Sequence, residues 1–316
     1  MSVKQKRSAG SVLLKILIFL LIAAVVLAGG AYAYLRYLMR GVQTNELSAT
    51  NEELGVVSQK NETDYQHYLL FGVDSRNHDD SGRSDMMIIL TLDRVHHKVK
   101  MSSLARDTRV KVDGYGYTKL GHAYAYGGPE LAIRTINQSF KMNISDYVTV
   151  NFDQMAGIID AVGGVMVNVS EEEKDVFNQM FAKGDVPAIT ETGNIRLTGA
   201  QAVGYSRNRT IGTDVARQSR QREVLVALYH EIRAKSFLEY PALIESFFSY
   251  CETSIKPDQV LGLGLWAIAS PPTFEEFALP NDACDAYGGL MDDGLWYFSY
   301  DLDVASEELH KFIYEE

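Results

Sequence analysis

The spacing of apolar and polar positions divides the chain into three parts. Residues 12–35 are almost continuously apolar, with Lys15 the single charge, a run long enough to cross a bilayer as a helix. Residues 41–66 are polar, rich in Asn, Glu, Thr and Gln, and show no hydrophobic period, the pattern of an extended stalk. From Tyr68 onward, short apolar runs alternate with helical spacings. Tyr68-Leu-Leu-Phe-Gly-Val before Asp74, and Asp85-Met-Met-Ile-Ile-Leu-Thr-Leu, read as strands buried on both faces, and Val99-Lys-Met-Ser-Ser-Leu as a third, more alternating one. Pro129 suits the first turn of a helix over 130–140, with Leu131, Ile133, Ile136 and Phe140 roughly on one face. A strand is predicted over 147–152. Asp153 is placed to cap the next helix, which stops at Gly163-Gly164, and Val165-Met-Val-Asn-Val follows as a strand. Thr198 opens a short helix, further helices are predicted over 214–235 and 240–251, and Ser306 begins a capped terminal one. Helices alternating with buried strands specify an α/β layered domain. The organisation expected is a tip and anchor over 1–40, a linker over 41–66 and one domain over 67–316.

Composition sets the compartment and excludes a partner class. With 46% hydrophobic and 22% charged residues the chain has ordinary globular proportions. Residues 1–40 carry six basic and no acidic residues, so of the overall −11 the remainder carries 24 basic against 41 acidic side chains, a balance of −17. A general nucleic-acid binder is excluded, because affinity for a polyphosphate backbone rests on neutralising it with Lys and Arg. Lys4, Lys6 and Arg7 before the apolar run place the N-terminus in the cytoplasm and everything after about residue 40 outside. A cleaved secretory signal ending near Ala31-Tyr32-Ala33 is the alternative, and the length of the run favours an anchor. Either way Cys251 and Cys284 are exported, where a disulfide and two free thiols are both compatible with the sequence. Residues 237–316 hold 16 acidic and 2 basic side chains, which reads as a solvated acidic face on folded structure, given the aromatics interspersed with them.

Against this negative background one segment stands out. Tyr205 to Arg222 contains five arginines and a single aspartate, which reads as a local anion site, with an Arg-rich solvated helix paired with the acidic tail as the alternative. Arg207 and Arg209, two apart, project to one side if the segment is extended, and Arg217, Arg220 and Gln221 share a helix face. Planar forked guanidinium groups suit phosphate recognition and can stabilise charge on a transferring phosphoryl group. A second cluster comes from strand ends: Asp74, Arg76, Arg83 and Asp85 bracket a short polar loop, and Arg106-Asp107 follow the third strand. Ligands of open α/β sheets bind beyond the carboxyl ends of the strands. Two carboxylates beside arginines fit magnesium held by one or two Asp plus phosphate oxygens, and a structural salt-bridge network is the alternative use of the same groups. The spacings of zincins, P-loops, C-x-x-C pairs and G-x-S-x-G hydrolases are missing.

Taken together, Phe71-Gly-Val-Asp-Ser-Arg, Arg83-Ser-Asp, Ala105-Arg-Asp-Thr-Arg-Val, Gly114-Tyr-Gly-Tyr-Thr-Lys-Leu, Ala123-Tyr-Ala-Tyr-Gly-Gly-Pro-Glu, Val150-Asn-Phe-Asp, Asp160-Ala-Val-Gly-Gly-Val, Leu197-Thr-Gly-Ala-Gln-Ala and Tyr205-Ser-Arg-Asn-Arg resemble the LytR-CpsA-Psr family, in order, over about residues 68–228. The resemblance implies a three-layer α-β-α sandwich behind an N-terminal transmembrane helix, with an apolar tunnel for a long lipid. It implies a phosphotransferase at the surface of a Gram-positive cell, moving an anionic glycopolymer such as teichoic acid or capsule from a polyprenyl-pyrophosphate carrier to peptidoglycan. By position, Asp74 and Asp85 are similar to its Mg2+ ligands. Arg83, Arg106, Lys119, Arg207, Arg209, Arg217 and Gln221 are similar to its pyrophosphate contacts, with Arg106, Arg207 and Arg209 in catalysis and Asp107 either orienting Arg106 or acting as base. The chain departs from the family at Ala105, Leu120-Gly121 and Val215-Ala216, which bears on loop geometry, and the charged positions are kept. His122 receives no role. A pyrophosphatase using the same groups, and a non-catalytic binder or regulator of lipid-linked glycans, are the alternatives.

Overall fold

A computed structural model describes residues 29, 30, 33, 34, 37, 44–56, 63–74, 82–236 and 238–315. The chain divides into units Met1–Val42 and Gln43–Glu316. In the first, the five described residues are helical, and most of the expected span over 12–35 lies outside the described residues. Among the described residues no helix is long and apolar enough to cross a membrane.

The second unit is built around a six-stranded mixed sheet. Its first strands, β1 (Tyr65–Val73), β2 (Ser84–Asp93) and β3 (Lys98–Leu104), form an antiparallel meander. A small hairpin, β4 (Arg109–Val112) and β5 (Gly116–Lys119), leads into helix α1 (Leu120–Phe140). Next come β6 (Asp146–Asn151), α2 (Phe152–Ala161), β7 (Val165–Val169), α3 (Glu171–Met180), β8 (Gly193–Leu197), α4 (Gly199–Arg207) and α5 (Asp214–Arg233). The chain closes with α6 (Tyr240–Tyr250), β9 (Glu252–Thr253), α7 (Pro257–Ala269), β10 (Thr273–Leu279), β11 (Tyr287–Leu290), β12 (Trp296–Ser299) and α8 (Leu302–Tyr314). Strand order is β10-β3-β2-β1-β6-β9, with β6 parallel to β1 and β10 parallel to β3. The carboxyl ends of β1, β3, β6 and β10 therefore share one sheet edge with the start of β2.

Strand alternation sorts the core into layers. Leu69, Phe71 and Val73 of β1 and Met87 and Ile89 of β2 pack with Ile133 and Ile136 of α1 and Leu309 and Ile313 of α8. Tyr68, Ile88, Leu92 and Met101 face the other way, toward Leu225 of α5 and Leu263 of α7. Helices thus cover both faces of the sheet, the expected α-β-α sandwich. A further core joins α2, α4, α5 and the separate β7–β8 ladder through Ile159, Val167, Ala202 and Val224.

Several expectations are corrected. Helix α1 starts ten residues earlier than residue 130, because Leu120, Ala123 and Tyr124 are also buried; the chain bends at Gly127-Gly128, where Gly128 takes φ +62°, and Pro129 opens the second half. The cap of α2 is Asn151, whose side chain and that of Gln154 exchange bonds in a capping box, with Asp153 inside the first turn. Asp301, and not Ser306, caps α8; Ser306 is buried and bonds the Phe140 carbonyl at 2.8 Å. Part of the expected stalk belongs to the domain: Leu54 is 1% exposed in the α1 core, and Asn137 donates to its carbonyl at 2.8 Å. The acidic C-terminal region is likewise integral. It supplies an edge strand on each side of the sheet, and buried Lys100 of β3 binds the Ile313 carbonyl at 2.7 Å and buried Asp93 at 3.1 Å. Cys251 and Cys284 are free thiols that pack with different cores.

Candidate functional site

The sheet edge that collects the strand ends opens into a cavity of about 450 Å3 between β1, β2, β6 and helices α2, α4 and α5. Each charged group arrives there for a local reason. Asp74 follows the last residue of β1, Asp85 is the second residue of the antiparallel neighbour β2, and Arg106 comes two residues after β3. Gly121 fixes the height of the Arg106 loop: its amide donates to the Arg106 carbonyl at 2.9 Å, and a Cβ there would meet the Ser84 carbonyl at 2.8 Å. Arg207 ends α4, Arg209 lies two residues beyond, and Arg217 and Gln221 are one turn apart on α5. All seven side chains line the cavity.

The arginines are held by differing partners. Arg106 is hydrogen-bonded to Asp85 through its Nη1, and Arg209 approaches the other Asp85 oxygen at 3.6 Å. Burial opposes the charged form of Arg106, but the carboxylates of Asp85, Asp107 and Asp214 together outweigh it, and the guanidinium is held above its ordinary range. Arg207 lies over the ring of Phe152, 3.8 Å from its centroid, a cation–π contact that orients an otherwise exposed side chain. Arg217 is 3% exposed and pairs with Asp214 at 2.7 Å, while its Nε is buried without a hydrogen-bond partner among the described residues. Burial pushes this guanidinium below its usual range, Asp214 offsets part of that, and Arg209 and Arg106 add repulsion. A buried, repelled cation with a spare donor calls for an anion.

Most of the rest of the wall is apolar, with Met86, Val150, Met155, Phe181, Val203 and Val224 among its residues. The wall therefore offers charged groups that suit a pyrophosphate and apolar surface that suits an aliphatic chain. Asp74 and Asp85 present hard carboxylate oxygens in that wall, a donor set that suits magnesium; Asp85 retains capacity beyond its arginine contacts, since an ionised carboxylate offers about four lone-pair sites.

Three expected residues are not brought to the cavity wall. Arg83 is exposed, its backbone carbonyl accepting from the Asp74 amide at 3.2 Å, and its charge acts on His122, which burial also pushes below its usual range. Lys119 and Asp107 pair with each other at 2.7 Å, and Asp107 reaches the Nε of Arg106 at 3.5 Å, behind the lining. Arg207 and Arg209 do not lie on one extended segment, because Arg207 is helical. Arg220, on the expected helix face, turns away to donate to the carbonyls of Asn208 and Ile211 at 2.7 and 3.0 Å. Sequence reasoning gave no role to Phe152, which stood within a family motif, and marked Gly121 only as a family departure bearing on loop geometry, without its steric role.

Comparisons with known proteins agree with this geometry. The model of the LytR_cpsA_psr family matches residues 31–311, and the chain belongs to that family. The polyisoprenyl-teichoic acid–peptidoglycan teichoic acid transferase TagU of Bacillus mycoides is 31% identical over 306 residues, covering 93% of this chain and 95% of the relative. The structure of TagT bound to LI-WTA superposes with a TM-score of 0.70 and 25% identity, covering 85% of this chain and 99% of TagT. TagV of Bacillus subtilis gives a TM-score of 0.63 at 28% identity, over 79% of this chain and 97% of TagV.

Proposed function

We propose that this member of the family transfers an anionic glycopolymer of the teichoic acid class from a polyprenyl-pyrophosphate carrier to peptidoglycan. The observation that carries the reading is one cavity whose wall combines four arginines and two aspartates with apolar side chains. The full-length likeness to a teichoic acid transferase supplies the donor and the acceptor.

In this reading Arg106, Arg207, Arg209 and Arg217 bind the pyrophosphate, with Gln221 beside them, and the apolar wall takes the proximal prenyl units. An acceptor hydroxyl oxygen attacks the phosphorus that bears the glycan. A new P–O bond forms, the bond to the bridging oxygen breaks, polyprenyl monophosphate leaves with that oxygen, and the hydroxyl proton is lost. The arginines stabilise the charge that accumulates on the leaving phosphate, and positioning does the rest. Asp107 and Lys119 act through Arg106 by fixing its orientation. Magnesium, when held by Asp74 and Asp85, would neutralise negative charge on the pyrophosphate. The run over 12–35 would anchor the chain with the catalytic domain outside a Gram-positive cell.

The test is incubation of the purified chain with a short-chain polyprenyl-pyrophosphate glycan and a peptidoglycan oligomer, with Mg2+ or a chelator, followed by mass spectrometry. Metal-dependent, acceptor-dependent formation of a phosphodiester-linked glycan is expected. Release of glycan phosphate alone would make the enzyme a pyrophosphatase, and binding without turnover would make it a binder.

A further inference from the structure

The β4–β5 hairpin leaves the Arg106–Asp107 loop two residues after Asp107, and its two faces differ in kind. Strand alternation turns Val110, Val112 and Thr118 inward, where they are buried, and turns Arg109, Lys111, Tyr117 and Lys119 outward. Cross-strand pairing sets Arg109 opposite Lys119 and Lys111 opposite Tyr117. In a strongly acidic domain, the outward positions hold three cations, one tyrosine and no carboxylate of their own.

Like charges directly opposite one another destabilise a strand pair, so the Arg109–Lys119 juxtaposition costs stability unless an anion compensates it. Asp107 compensates Lys119, at 2.7 Å, and is engaged there. Arg109 and Lys111 make no ion pair among the described residues. Asp293, whose carboxyl feels the Arg109 charge, accepts instead from the Tyr297 hydroxyl at 2.5 Å and the Leu295 amide at 2.9 Å. Asp113, in the hairpin turn, accepts from Gln138 at 3.3 Å. The Arg109 guanidinium lies over the Tyr117 ring, 4.5 Å from its centroid, a contact that orients the group and leaves its planar fork for an anion. Along β4, Arg109 and Lys111 are separated by about 7 Å, so successive anionic groups of an extended chain can each meet one cation.

The aromatic side chains indicate what joins those anionic groups. Tyr117 is 59% exposed, and at the turn Tyr115 and Tyr126, both exposed, stack with centroids 4.3 Å apart and planes 16° apart. An exposed tyrosine presents an apolar ring with a polar tip, which fits the C–H surfaces and hydroxyls of a sugar or polyol. A bilayer surface calls for aliphatic or bulky apolar side chains that insert, and the outward positions of the hairpin hold no aliphatic residue.

We infer that the outward face of this hairpin is a track for the glycopolymer of the donor, an anionic polyol-phosphate or sugar-phosphate chain, with its phosphates on Arg109 and Lys111 and its polyol or sugar segments against Tyr117. The inference rests on the reading of the cavity as the pyrophosphate site. The Lys119–Asp107 pair, which reaches the Arg106 Nε at 3.5 Å, stands at the end of the track next to that site. The track holds polymer beyond the reacting phosphorus, so it selects donors that already carry a charged chain.

The test saturates the full chain, in detergent, with octaprenyl pyrophosphate to fill the cavity, and titrates it with a lipid-free poly(glycerol phosphate) oligomer by calorimetry. The doubly substituted Arg109→Gln, Lys111→Gln chain should lose at least about tenfold in oligomer affinity while binding octaprenyl pyrophosphate as before. Both positions are exposed and free of ion pairs among the described residues, so folding is not at stake. Tyr117→Ala should act in the same direction, and Tyr117→Phe should not, since the ring makes the contact. No binding of the oligomer by the parent chain, or equal binding by the double variant, overturns the track. Equal competition by inorganic phosphate at the same phosphate concentration overturns it too, by reducing the face to an unspecific anion surface. Oligomer binding that is lost in the double variant, with no glycopolymer transfer by either chain, would keep the track and defeat the transfer reading.

Discussion

Asp214 grips the guanidinium of Arg217 at 2.7 Å from one helical turn away, yet leaves the Arg217 Nε without a partner. The pair compensates the buried cation on one side, and in the proposed reading the pyrophosphate compensates it on the other. Replacing Arg217 by Ala is expected to slow transfer on the order of 10²-fold at saturating donor. Arg217→Lys should recover little, because an ammonium lacks the planar fork. Steady-state rates of the two variants check this, and unchanged turnover in Arg217→Ala would remove the residue from the site.

Asp107 stands behind the cavity, bonded to Lys119 at 2.7 Å and 3.5 Å from the Arg106 Nε, so its role should be to orient and not to take the acceptor proton. Asp107→Asn is expected to lower kcat by about tenfold, less than the roughly 10²-fold of Arg106→Ala. The acid limb of its pH–rate profile should stay where it is in the parent. Loss of that limb would identify Asp107 as the general base.

Met155 of α2 is half-buried in the apolar wall. In the proposed reading a carboxylate there meets the lipid and not the head group, so Met155→Glu should weaken binding of an octaprenyl pyrophosphate far more than that of a two-unit analogue. Titration with both lipids is the measurement, and an equal loss for both would place the chain elsewhere.

His67 lies between Thr91 and Tyr314, with its Nδ1 2.9 Å from the threonine hydroxyl and its Nε2 3.3 Å from the tyrosine hydroxyl. Burial, with a smaller contribution from His310, pushes its imidazole down to about 4. The unfolded chain then binds the proton first, so stability should fall as pH drops from about 6.5 toward 4 and level off below. Thermal midpoints across that window should show the slope in the parent and a shallower one in His67→Gln.

How much of this was legible in the sequence varies by element. The strands of the sheet were readable from apolar runs such as Asp85-Met-Met-Ile-Ile-Leu, because a strand buried on both faces must be apolar at every position. The first half of α1 was not, since its start, Leu120-Gly-His, follows Lys119, which makes no side-chain cap, and is held by packing against the Arg106 loop and β4. Caps were placed a residue or more off at Asn151 and Asp301, where several competent side chains stand in a row and the packed exit direction of the strand chooses among them.

For the site, the sequence by itself determined the chemical inventory. Charges concentrated at strand ends and in residues 205–222 of an otherwise acidic domain suit an anion or a salt-bridge network, and a family pattern favoured the anion and named its class. Only the tertiary structure decided which of those groups face it. Arg106, Arg207, Arg209 and Arg217 line the cavity, Arg220 turns inward to backbone carbonyls, and Asp107 and Lys119 pair behind. Residue type fixes what a side chain can bind. Which way it points follows from strand direction, helix register and burial, which long-range packing sets.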